Sequence, residues 1–357
     1  MGIPRTIADI TPGWLTGVLQ DGGFLTSDQV KSVRFDPIGE GMGFVGDVAR
    51  LYIEYSGGSD EAPPTLVVKI AVSNDEVRKF ANRAGLYAAE IGLYTELGQN
   101  LGVRIPRFYY GATVDGYFVL LLEDLSHLRV GDETRLGSIE DAEAAVRNVA
   151  RLHARWWDSE QLAGYQWLYR PLDPMSAQFR QQVYLDAWTA VSGQLQSVLH
   201  ADVYEIGERL GPKLAQIWST ASVPALTLNH GDYRLANLFF DGDQIVTFDW
   251  QFAQHGPPAI DLADFLVWSL TDDQRRIYET SLIDLYVETL VENGVQNYNR
   301  EQGLQDCRLG MLRNLENYVI SIPNLAMDSA PGQAWVDTVS PRMIALADWD
   351  CGALIPA

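Results

Sequence analysis

The feature that constrains this chain most is a short stretch in its second half, residues 228–240, followed by a related run at 245–251. The first stretch opens with an apolar segment that ends at His230. Two short apolar runs then flank the pair Asp241-Gly242. Apolar runs separated by Asp-Gly are typical of a β-hairpin. We therefore expect a strand, a polar loop and a hairpin in immediate succession.

This loop and hairpin bring three polar side chains close together in the sequence. Asp232 lies in the loop, Asn237 follows five positions later, and Asp249 comes just after the second hairpin strand. A carboxylate can accept a proton from a hydroxyl, so Asp232 is a candidate general base. Amide and carboxylate oxygens bind hard cations, so Asn237 and Asp249 are candidate metal ligands. A loop Asp, a loop Asn and a following Asp are typical of a phosphoryl-transfer site of the kinase type.

A glycine-rich stretch near the N-terminus fits the pattern Gly-x-Gly-x-x-Gly-x-Val at Gly41, Gly43, Gly46 and Val48. Backbone amides without side chains can close over phosphate oxygens. A glycine-rich hairpin turn gives the same letters, so the pattern alone is ambiguous. Its position between two predicted strands favours a phosphate loop, because a dinucleotide-binding loop should open a helix and none is predicted at Gly46.

Lys69 lies in an apolar strand of a chain in which only four of the 26 basic residues are lysines. Two interpretations remain open: a lysine that reaches solvent from an edge strand, or a cation for nucleotide phosphates held by a helix glutamate. Glu90 follows in an apolar helical stretch, where a carboxylate needs a partner. Glu96, near the predicted end of that helix, is the competing candidate. We favour Glu90 as the partner of Lys69.

The periodicity of apolar residues predicts an α+β fold. We expect five strands in the first third, at 30–37, 48–55, 65–72, 107–112 and 117–122, after a short helix that begins at Thr11-Pro12 and around one long helix over 75–97. The remainder is mainly helical. Its predicted helices are 138–157, 173–198, 201–219, 258–270, 272–293 and 300–321, with a last one opening at Ser340-Pro341.

The length of the chain indicates its number of domains, and its net charge limits the classes of partner that it can bind. A chain of 357 residues exceeds what one core usually serves, so two domains are expected. The net charge of −21 disfavours nucleic acid and anionic membranes as partners. It suits a cationic substrate, or it only keeps the surface soluble. Cys307 and Cys351 have no metal-ligand spacing and fit a reducing cytoplasm, and no apolar run has membrane-spanning length.

Together these residues resemble the aminoglycoside phosphotransferase and choline kinase branch of the protein-kinase fold, and within it the ecdysteroid-kinase-like small-molecule kinases. The resemblance covers about residues 35–270. It is carried by His230-Gly-Asp232 with Asn237, Phe248-Asp249-Trp250-Gln251, Gly256-Pro-Pro-Ala-Ile-Asp261, Glu90-Ile-Gly-Leu-Tyr94, Leu121-Leu-Glu-Asp-Leu125 and Leu152-His-Ala-Arg-Trp156.

The resemblance implies a bilobal fold: an N-lobe over 1–124 with an antiparallel sheet and a helix, and a helical C-lobe over 125–357 with the catalytic loop 228–251 and the substrate site. ATP would lie between the lobes. The resemblance implies that Asp232 is the base or the orienter of a hydroxyl and that Asn237 and Asp249 bind Mg²⁺. Lys69, braced by Glu90, would contact the phosphates together with Gly41, Gly43 and Gly46. The backbone of Glu123 to Leu125 would bind the adenine.

Departures from protein kinases point to a small-molecule acceptor. Gly231 replaces the arginine of the His-Arg-Asp motif, and Trp250-Gln251 replaces Phe-Gly. Only 12 positions separate Asp249 from Asp261, which leaves no room for a long activation loop. We expect Asp261 and His230 to brace the loop structurally, and Asp264 and His153 to be structural as well.

Two functions remain open at this stage: an ATP-dependent kinase of a small-molecule alcohol, and a non-catalytic nucleotide-binding module. The acceptor is also open. Sterol- or macrolide-like molecules fit the aromatic residues of the helical region, although ordinary packing explains most of these. They are Trp156, Trp157, Trp167, Tyr169, Tyr184, Trp188 and Trp335. Amino sugars or choline-like cations fit the acidic residues Asp337, Asp348 and Asp350.

Overall fold

The computed structural model describes residues 2–38, 45–57, 62–131, 138–220, 225–242, 244–324 and 330–356. It divides into two compact units. The first unit is Met1–Arg129 with Phe239–Phe252, and the second is Val130–Leu238 with Ala253–Ala357. The predicted lobes 1–124 and 125–357 stay a prediction. The segment Phe239–Phe252, which the sequence assigns to the second lobe, is grouped here with the first unit.

The first unit is built on one antiparallel sheet, as predicted. Its strands are β1 (Val30–Ile38), β2 (Gly46–Tyr55), β3 (Thr65–Ala71), β4 (Phe108–Val114) and β5 (Tyr117–Glu123). They pair in the order β1-β2-β3-β5-β4, so β3 is central. Helix α1 (Pro12–Asp21), capped by Thr11, packs its apolar side chains against those of the sheet. This shared core holds the sheet that carries Lys69.

The helix predicted over 75–97 is not continuous. It consists of α2 (Asp75–Arg83), α3 (Leu86–Gly92) and a π-helical turn, Leu93–Leu97. The break lies at Gly85, whose φ of +74° is left-handed and cannot continue a right-handed helix. The apolar periodicity did not reveal this break, because it reports which side chains are buried and not whether the backbone is continuous.

The remaining strands are short. They are β6 (Arg129–Val130), β7 (Thr227–Asn229), β8 (Leu238–Asp241), β9 (Gln244–Thr247) and β10 (Gln254–Gly256). Strands β8 and β9 are neighbours in one sheet, as the predicted hairpin requires. A 3₁₀ turn, Trp250–Phe252, follows them. The strand, loop and hairpin predicted from the sequence are therefore confirmed in that order.

The second unit is mainly helical. Its helices are α4 (Ile139–Arg155), α5 (Pro174–Val198), α6 (Ala201–Leu210), α7 (Leu214–Thr220), α8 (Ala259–Trp268), α9 (Asp272–Glu292), α10 (Arg300–Ser321), α11 (Ala330–Arg342) and α12 (Ala345–Asp348). Helix α8 is buried over nearly its whole length and packs on α10. Gly310 permits this close approach, since a Cβ there would lie 2.7 Å from the Cβ of Ala263.

Two predicted helix boundaries in the second unit are wrong. The helix expected over 201–219 is interrupted by a 3₁₀ turn, Gly211–Lys213, where Pro212 cannot donate a backbone hydrogen bond. The pair Ser340-Pro341 ends α11 and does not open a helix. The Ser340 hydroxyl donates to the backbone carbonyl of Val336, inside α11, and is therefore not a cap for the residues that follow.

Among the described residues, no helix has both the length and the apolar character that crossing a bilayer requires. Cys307 and Cys351 are buried free thiols.

The buried carboxyl of Asp306 on α10 should make the stability of the protein depend on pH. The Tyr298 hydroxyl donates to Asp306 Oδ2 at 2.7 Å, but burial dominates and raises the pKa of Asp306 to about 6. Between about pH 4 and 6 the folded state therefore binds more protons at this group than the unfolded state, so this group makes stability fall as pH rises through that window. We expect Asp306→Asn, which keeps the acceptor, to be more stable than wild type by about 2 kcal/mol at pH 7.

Urea unfolding at pH 4 and pH 7 measures this difference, which should nearly vanish at pH 4. Asp273→Asn, at an exposed position of α9, is the control, with little expected change at either pH. An equal effect of Asp306→Asn at both pH values would contradict the assignment.

Candidate active site

Lys69 lies on the central strand β3, with Val48 of β2 and Leu120 of β5 as its neighbours in register. It is therefore not an edge-strand lysine. Its ammonium Nζ donates to both carboxylate oxygens of Glu90, at 2.8 Å to Oε2 and 3.0 Å to Oε1. Glu90 is 1% exposed, whereas Glu96 is exposed. Glu90 and not Glu96 is thus the carboxylate that contacts Lys69.

Two further acceptors come from the end of the hairpin. Lys69 Nζ lies 2.6 Å from Asp249 Oδ1 and 3.2 Å from Gln251 Oε1. We call Lys69, Glu90, Asp249 and Gln251 the lysine cluster. The sequence did not predict the contact of Gln251 with Lys69. Asp249 has a φ of +65°, a left-handed conformation that non-glycine residues rarely adopt and that recurs at functional sites.

The hairpin that carries Asp249 is fixed within the first unit by three contacts. Arg104 Nη1 lies 2.6 Å from Asp241 Oδ2, and the Arg104 carbonyl accepts from Thr247 N at 2.9 Å. The indole of Trp250, which is fully buried, donates to the Thr247 carbonyl at 3.0 Å. Asp241 and Thr247 precede Asp249 in the hairpin, and Trp250 follows it in the turn. Contacts on both sides therefore hold Asp249 beside Lys69.

The charges of the lysine cluster hold Lys69 protonated. Burial works against the ammonium, but Asp249 and Glu90 outweigh it and raise the pKa of Lys69 above its ordinary value. Burial also raises the pKa of Glu90, against the attraction of Lys69. A buried carboxylate of this kind depends on its partner, so Lys69 and Glu90 function as a pair.

Gly46, the first residue of β2, lies against the lysine cluster. A Cβ at this position would be 3.2 Å from both Cγ and Cε of Lys69 and 3.0 Å from the Ile70 carbonyl. The absence of a side chain therefore leaves room for the stem of Lys69. Gly41 and Gly43, the other predicted phosphate-loop glycines, lie outside the described residues.

The predicted adenine-binding segment begins at Glu123, the last residue of β5. The Glu123 carboxylate accepts from the backbone N of Arg107 at 3.0 Å, and Leu125 is buried at 3% exposure. Asp124, between them, forms an ion pair with Arg50 at 3.0 Å. These contacts fix the side chains of the segment. A role in nucleotide binding stays a prediction for Glu123 and Leu125.

In the second unit, Asp261 of α8 organises the loop 230–237. One carboxylate oxygen accepts from the backbone N of His230 at 2.6 Å and the other from Gly231 N at 2.8 Å. His153 Nε2 lies 3.1 Å from Asp261 Oδ2 and is fully buried. Burial would raise the pKa of Asp261, but these partners hold it below its ordinary value. Asp261 thus braces the loop, as predicted, and His153 packs against it. Asp264 pairs with Arg313 at 3.6 Å, and its structural role stays a prediction.

Asp232 is held by contacts from its own loop. Its backbone N donates to His230 Nδ1 at 3.3 Å, which is the structural role expected for that histidine. Asn237 Nδ2 donates to the Asp232 carbonyl at 2.8 Å and to Oδ2 at 3.0 Å. Arg234 Nε lies 3.1 Å from Asp232 Oδ1. Sequence reasoning missed Arg234, although an arginine two positions from a candidate base was a usable signal.

The structure thus brings the predicted residues together in two groups, one in each unit. The first unit contains Lys69, Glu90 and Asp249 in direct contact. The second contains Asp232 and Asn237 in direct contact.

Most of the aromatic residues singled out in the helical region take part in packing. Tyr184 stacks on Trp188, Trp157 packs edge-on against Tyr298, and Trp335 stacks on a tyrosine of α10. Trp156 is 2% exposed. Ordinary side-chain packing therefore accounts for these aromatic residues.

The sequence model of the ecdysteroid kinase-like family matches residues 40–297, which is most of the chain and includes both groups of site residues. The chain belongs to the ecdysteroid kinase-like family. No curated protein matches the sequence. The family match agrees with the resemblance that the His-Gly-Asp motif and Asp249 indicated.

Solved structures show the same fold. The amicoumacin kinase hAmiN, in complex with AMP-PNP, Ca²⁺ and Ami, is 13% identical, with 92% of each chain covered and a TM-score of 0.57. A choline kinase from Cryptosporidium parvum Iowa II is 8% identical, covering 95% of this chain and 94% of that one, with a TM-score of 0.57. A choline/ethanolamine kinase family protein from Mesorhizobium loti is 15% identical, covering 90% and 92%, with a TM-score of 0.53. This ecdysteroid kinase-like chain therefore has the predicted α+β kinase-like fold.

Proposed function

We propose that this chain is a small-molecule kinase that transfers the γ-phosphoryl group of ATP to an alcohol. The observation that carries the proposal is the lysine cluster, in which one half-buried ammonium lies between a helix carboxylate, Glu90, and Asp249, which follows the hairpin. The second support is Asp232, which Asn237 and Arg234 hold at a defined position. Family membership supports the same reaction class.

The first unit would bind the nucleotide. Lys69 supplies a permanent positive charge for the α- and β-phosphates, and Gly46 leaves its stem unobstructed. The predicted phosphate loop at Gly41 and Gly43 would close over the phosphates. The backbone from Glu123 to Leu125 would hydrogen-bond the adenine.

Asn237 and Asp249 suit a magnesium ion. Asn237 Nδ2 is committed to Asp232, which leaves its Oδ1 as the atom for a cation. The Asp249 carboxylate engages Lys69 through Oδ1 and is 27% exposed, so it remains accessible. One carboxylate and one amide with phosphates and water is the usual pattern for Mg²⁺. When bound, the ion would neutralise charge on the transferring phosphate.

Asp232 would orient the acceptor hydroxyl and take its proton. The hydroxyl oxygen forms a bond to the γ-phosphorus, the bond from that phosphorus to the bridging oxygen of ADP breaks, and the hydroxyl proton moves to the Asp232 carboxylate. Asn237 and Arg234 hold the carboxylate in place through its two oxygens. A general base of this kind contributes about 10²–10⁴-fold to the rate.

The acceptor is proposed by class only. The net charge of −21 favours a cationic alcohol such as an amino sugar or a choline-like molecule. A sterol- or macrolide-like alcohol is less well supported, because much of the aromatic surface is used in packing.

We also propose a cytoplasmic location, since both cysteines are free thiols.

Nucleotide binding is tested first, by thermal unfolding with and without Mg²⁺-ADP. We expect stabilisation of about 2.7 kcal/mol at a ligand concentration of 100 Kd. A release assay for ADP should then detect turnover with amino-sugar or choline-like alcohols. Sterols and macrolides form the second arm of the panel.

The outcomes separate the two candidate functions. Nucleotide binding without turnover across both arms would favour the non-catalytic module. No stabilisation by Mg²⁺-ADP would refute both functions.

A further inference from the structure

Tyr286 is a tyrosine of α9 whose hydroxyl contacts the histidine of α4. The hydroxyl oxygen lies 2.7 Å from Nδ1 of His153, and the two rings meet edge-on with centroids 5.8 Å apart. Both side chains are fully buried, so each polar atom in this contact depends on a protein partner. In the sequence, Tyr286 lies far outside the motif around Asp232.

His153 connects this hydroxyl to the backbone just before Asp232. Its second ring nitrogen, Nε2, lies 3.1 Å from Oδ2 of Asp261. The carboxylate of Asp261 also accepts from the backbone N of His230 at 2.6 Å and from that of Gly231 at 2.8 Å. A continuous path of hydrogen bonds therefore runs from α9 to the two residues that precede the proposed base.

The charges along this path indicate which nitrogen of His153 carries a proton. Burial opposes the ionised form of Asp261, but its hydrogen bonds hold its pKa below the ordinary value, so the carboxylate only accepts. Nε2 of His153 must therefore donate. In a neutral imidazole the other nitrogen is an acceptor. The Tyr286 hydroxyl can supply the proton for Nδ1, because burial raises the pKa of Tyr286 well above its ordinary value.

Asn229 offers the imidazole an alternative partner. Its Nδ2 lies 3.4 Å from Nε2 of His153, so an Nε2 atom without a proton would accept from Asn229 and would not donate to Asp261. A hydroxyl that donates to Nδ1 excludes this second tautomer, since a protonated Nδ1 cannot accept. The hydrogen bond from α9 thus selects the tautomer that supports the carboxylate.

We propose that Tyr286 is a positioning residue for the transfer reaction, because its hydroxyl holds His153 in the tautomer that donates to Asp261. This inference rests on the proposed function. Asp261 in turn fixes the backbone that carries Asp232. Tyr286 takes no part in the chemical step and acts only on the position of the carboxylate that receives the hydroxyl proton.

The tautomer of His153 can be measured in the wild-type protein, without a substitution at Tyr286. A ¹⁵N NMR spectrum of protein labelled at its five histidines distinguishes protonated from unprotonated ring nitrogens. The signals of His153 are those that disappear in His153→Gln. We expect a proton on Nε2 and none on Nδ1 at neutral pH. A proton on Nδ1 would overturn the proposal.

The variant Tyr286→Phe removes only the hydroxyl. We expect kcat to fall about tenfold, as for the loss of one hydrogen bond that aligns a reacting group. The KM for the acceptor and the Kd for Mg²⁺-ADP should change less than about twofold, since the hydroxyl contacts neither ligand. Hydrogen exchange at the amides of His230 and Gly231, which donate to Asp261, should become about tenfold faster.

Tyr318→Phe is the matched control. Tyr318 is also buried, and its hydroxyl lies 2.6 Å from Oγ of Ser340, so this variant loses one hydrogen bond between α10 and α11. Its urea midpoint should fall about as much as that of Tyr286→Phe. Its kcat and the exchange of the His230 and Gly231 amides should equal those of wild type. An equal fall of kcat in both variants would overturn the proposal, because lost stability would then explain it.

The remaining outcomes separate this inference from the proposed function. Wild-type kcat and wild-type amide exchange in Tyr286→Phe overturn the role of Tyr286 and leave the kinase function intact. A wild-type protein that turns over no acceptor overturns the proposed function and the catalytic part of this inference. In that case the tautomer of His153 and the amide exchange still decide whether Tyr286 holds the loop.

Discussion

Replacement of Asp232 by asparagine is expected to lower kcat by about 10²–10⁴-fold, because the amide cannot take the proton of the acceptor hydroxyl. Asparagine keeps the shape of the side chain, and its single acceptor oxygen can still serve either Asn237 or Arg234. The loop 230–237 should therefore keep its structure, since Asp261 fixes its backbone independently. The Kd for Mg²⁺-ADP should change less than about threefold, a shift below 1 kcal/mol.

Two measurements on Asp232→Asn check this: steady-state turnover with an acceptor found in the panel, and calorimetric binding of Mg²⁺-ADP. Asp273→Asn, an exposed carboxylate on α9, is the matched control and should behave as wild type. Turnover of Asp232→Asn at the wild-type rate would show that another group is the base. A parallel loss of ADP binding would show that Asp232 acts in binding and not in the chemical step.

The second large effect is expected for Lys69→Met. The substitution removes the cation from Glu90, which is 1% exposed and accepts two hydrogen bonds from Lys69. Breaking one side of a buried ion pair typically costs 3–5 kcal/mol, and we expect about 3 kcal/mol in urea unfolding at pH 7. Binding of Mg²⁺-ADP should be lost as well.

The loss of stability in Lys69→Met should depend on pH. An unpartnered buried Glu90 binds a proton in the folded state at a higher pH than in the unfolded chain, where its pKa is about 4.3. The penalty is therefore largest at neutral pH and shrinks as pH falls toward about 4. A loss of stability that is constant between pH 4 and 7 would contradict this account.

A double variant separates stability from binding. Lys69→Met combined with Glu90→Met replaces the pair by apolar side chains and should recover most of the lost stability without recovering nucleotide binding. Lys79→Met is the control, since Lys79 pairs with Glu76 on the exposed surface of α2 and should contribute less than about 1 kcal/mol. Nucleotide binding by the double variant at the wild-type affinity would exclude Lys69 from the phosphate site.

Local sequence patterns predicted much of the fold because they report local requirements. Apolar and β-branched runs predicted the five strands of the first unit, and the Asp-Gly turn predicted the hairpin β8–β9. The same patterns did not show where helices break. Gly85 interrupts the helix expected over 75–97, and Ser340-Pro341 ends a helix that it was expected to begin, because the Ser340 hydroxyl bonds the preceding turn.

The sequence by itself determined the family, and it predicted the residues that we propose to carry the chemistry. Residue type and spacing identify the motif around Asp232 and Asn237, the following Asp249 and the isolated Lys69. This identification requires no knowledge of tertiary contacts. Only the tertiary structure decided which groups share one environment. It selected Glu90 over Glu96 and added Gln251 and Arg234 to the groups that the sequence predicted. The physical reason is that burial and hydrogen-bond satisfaction depend on residues as far apart as 69 and 249, whose approach no local pattern records.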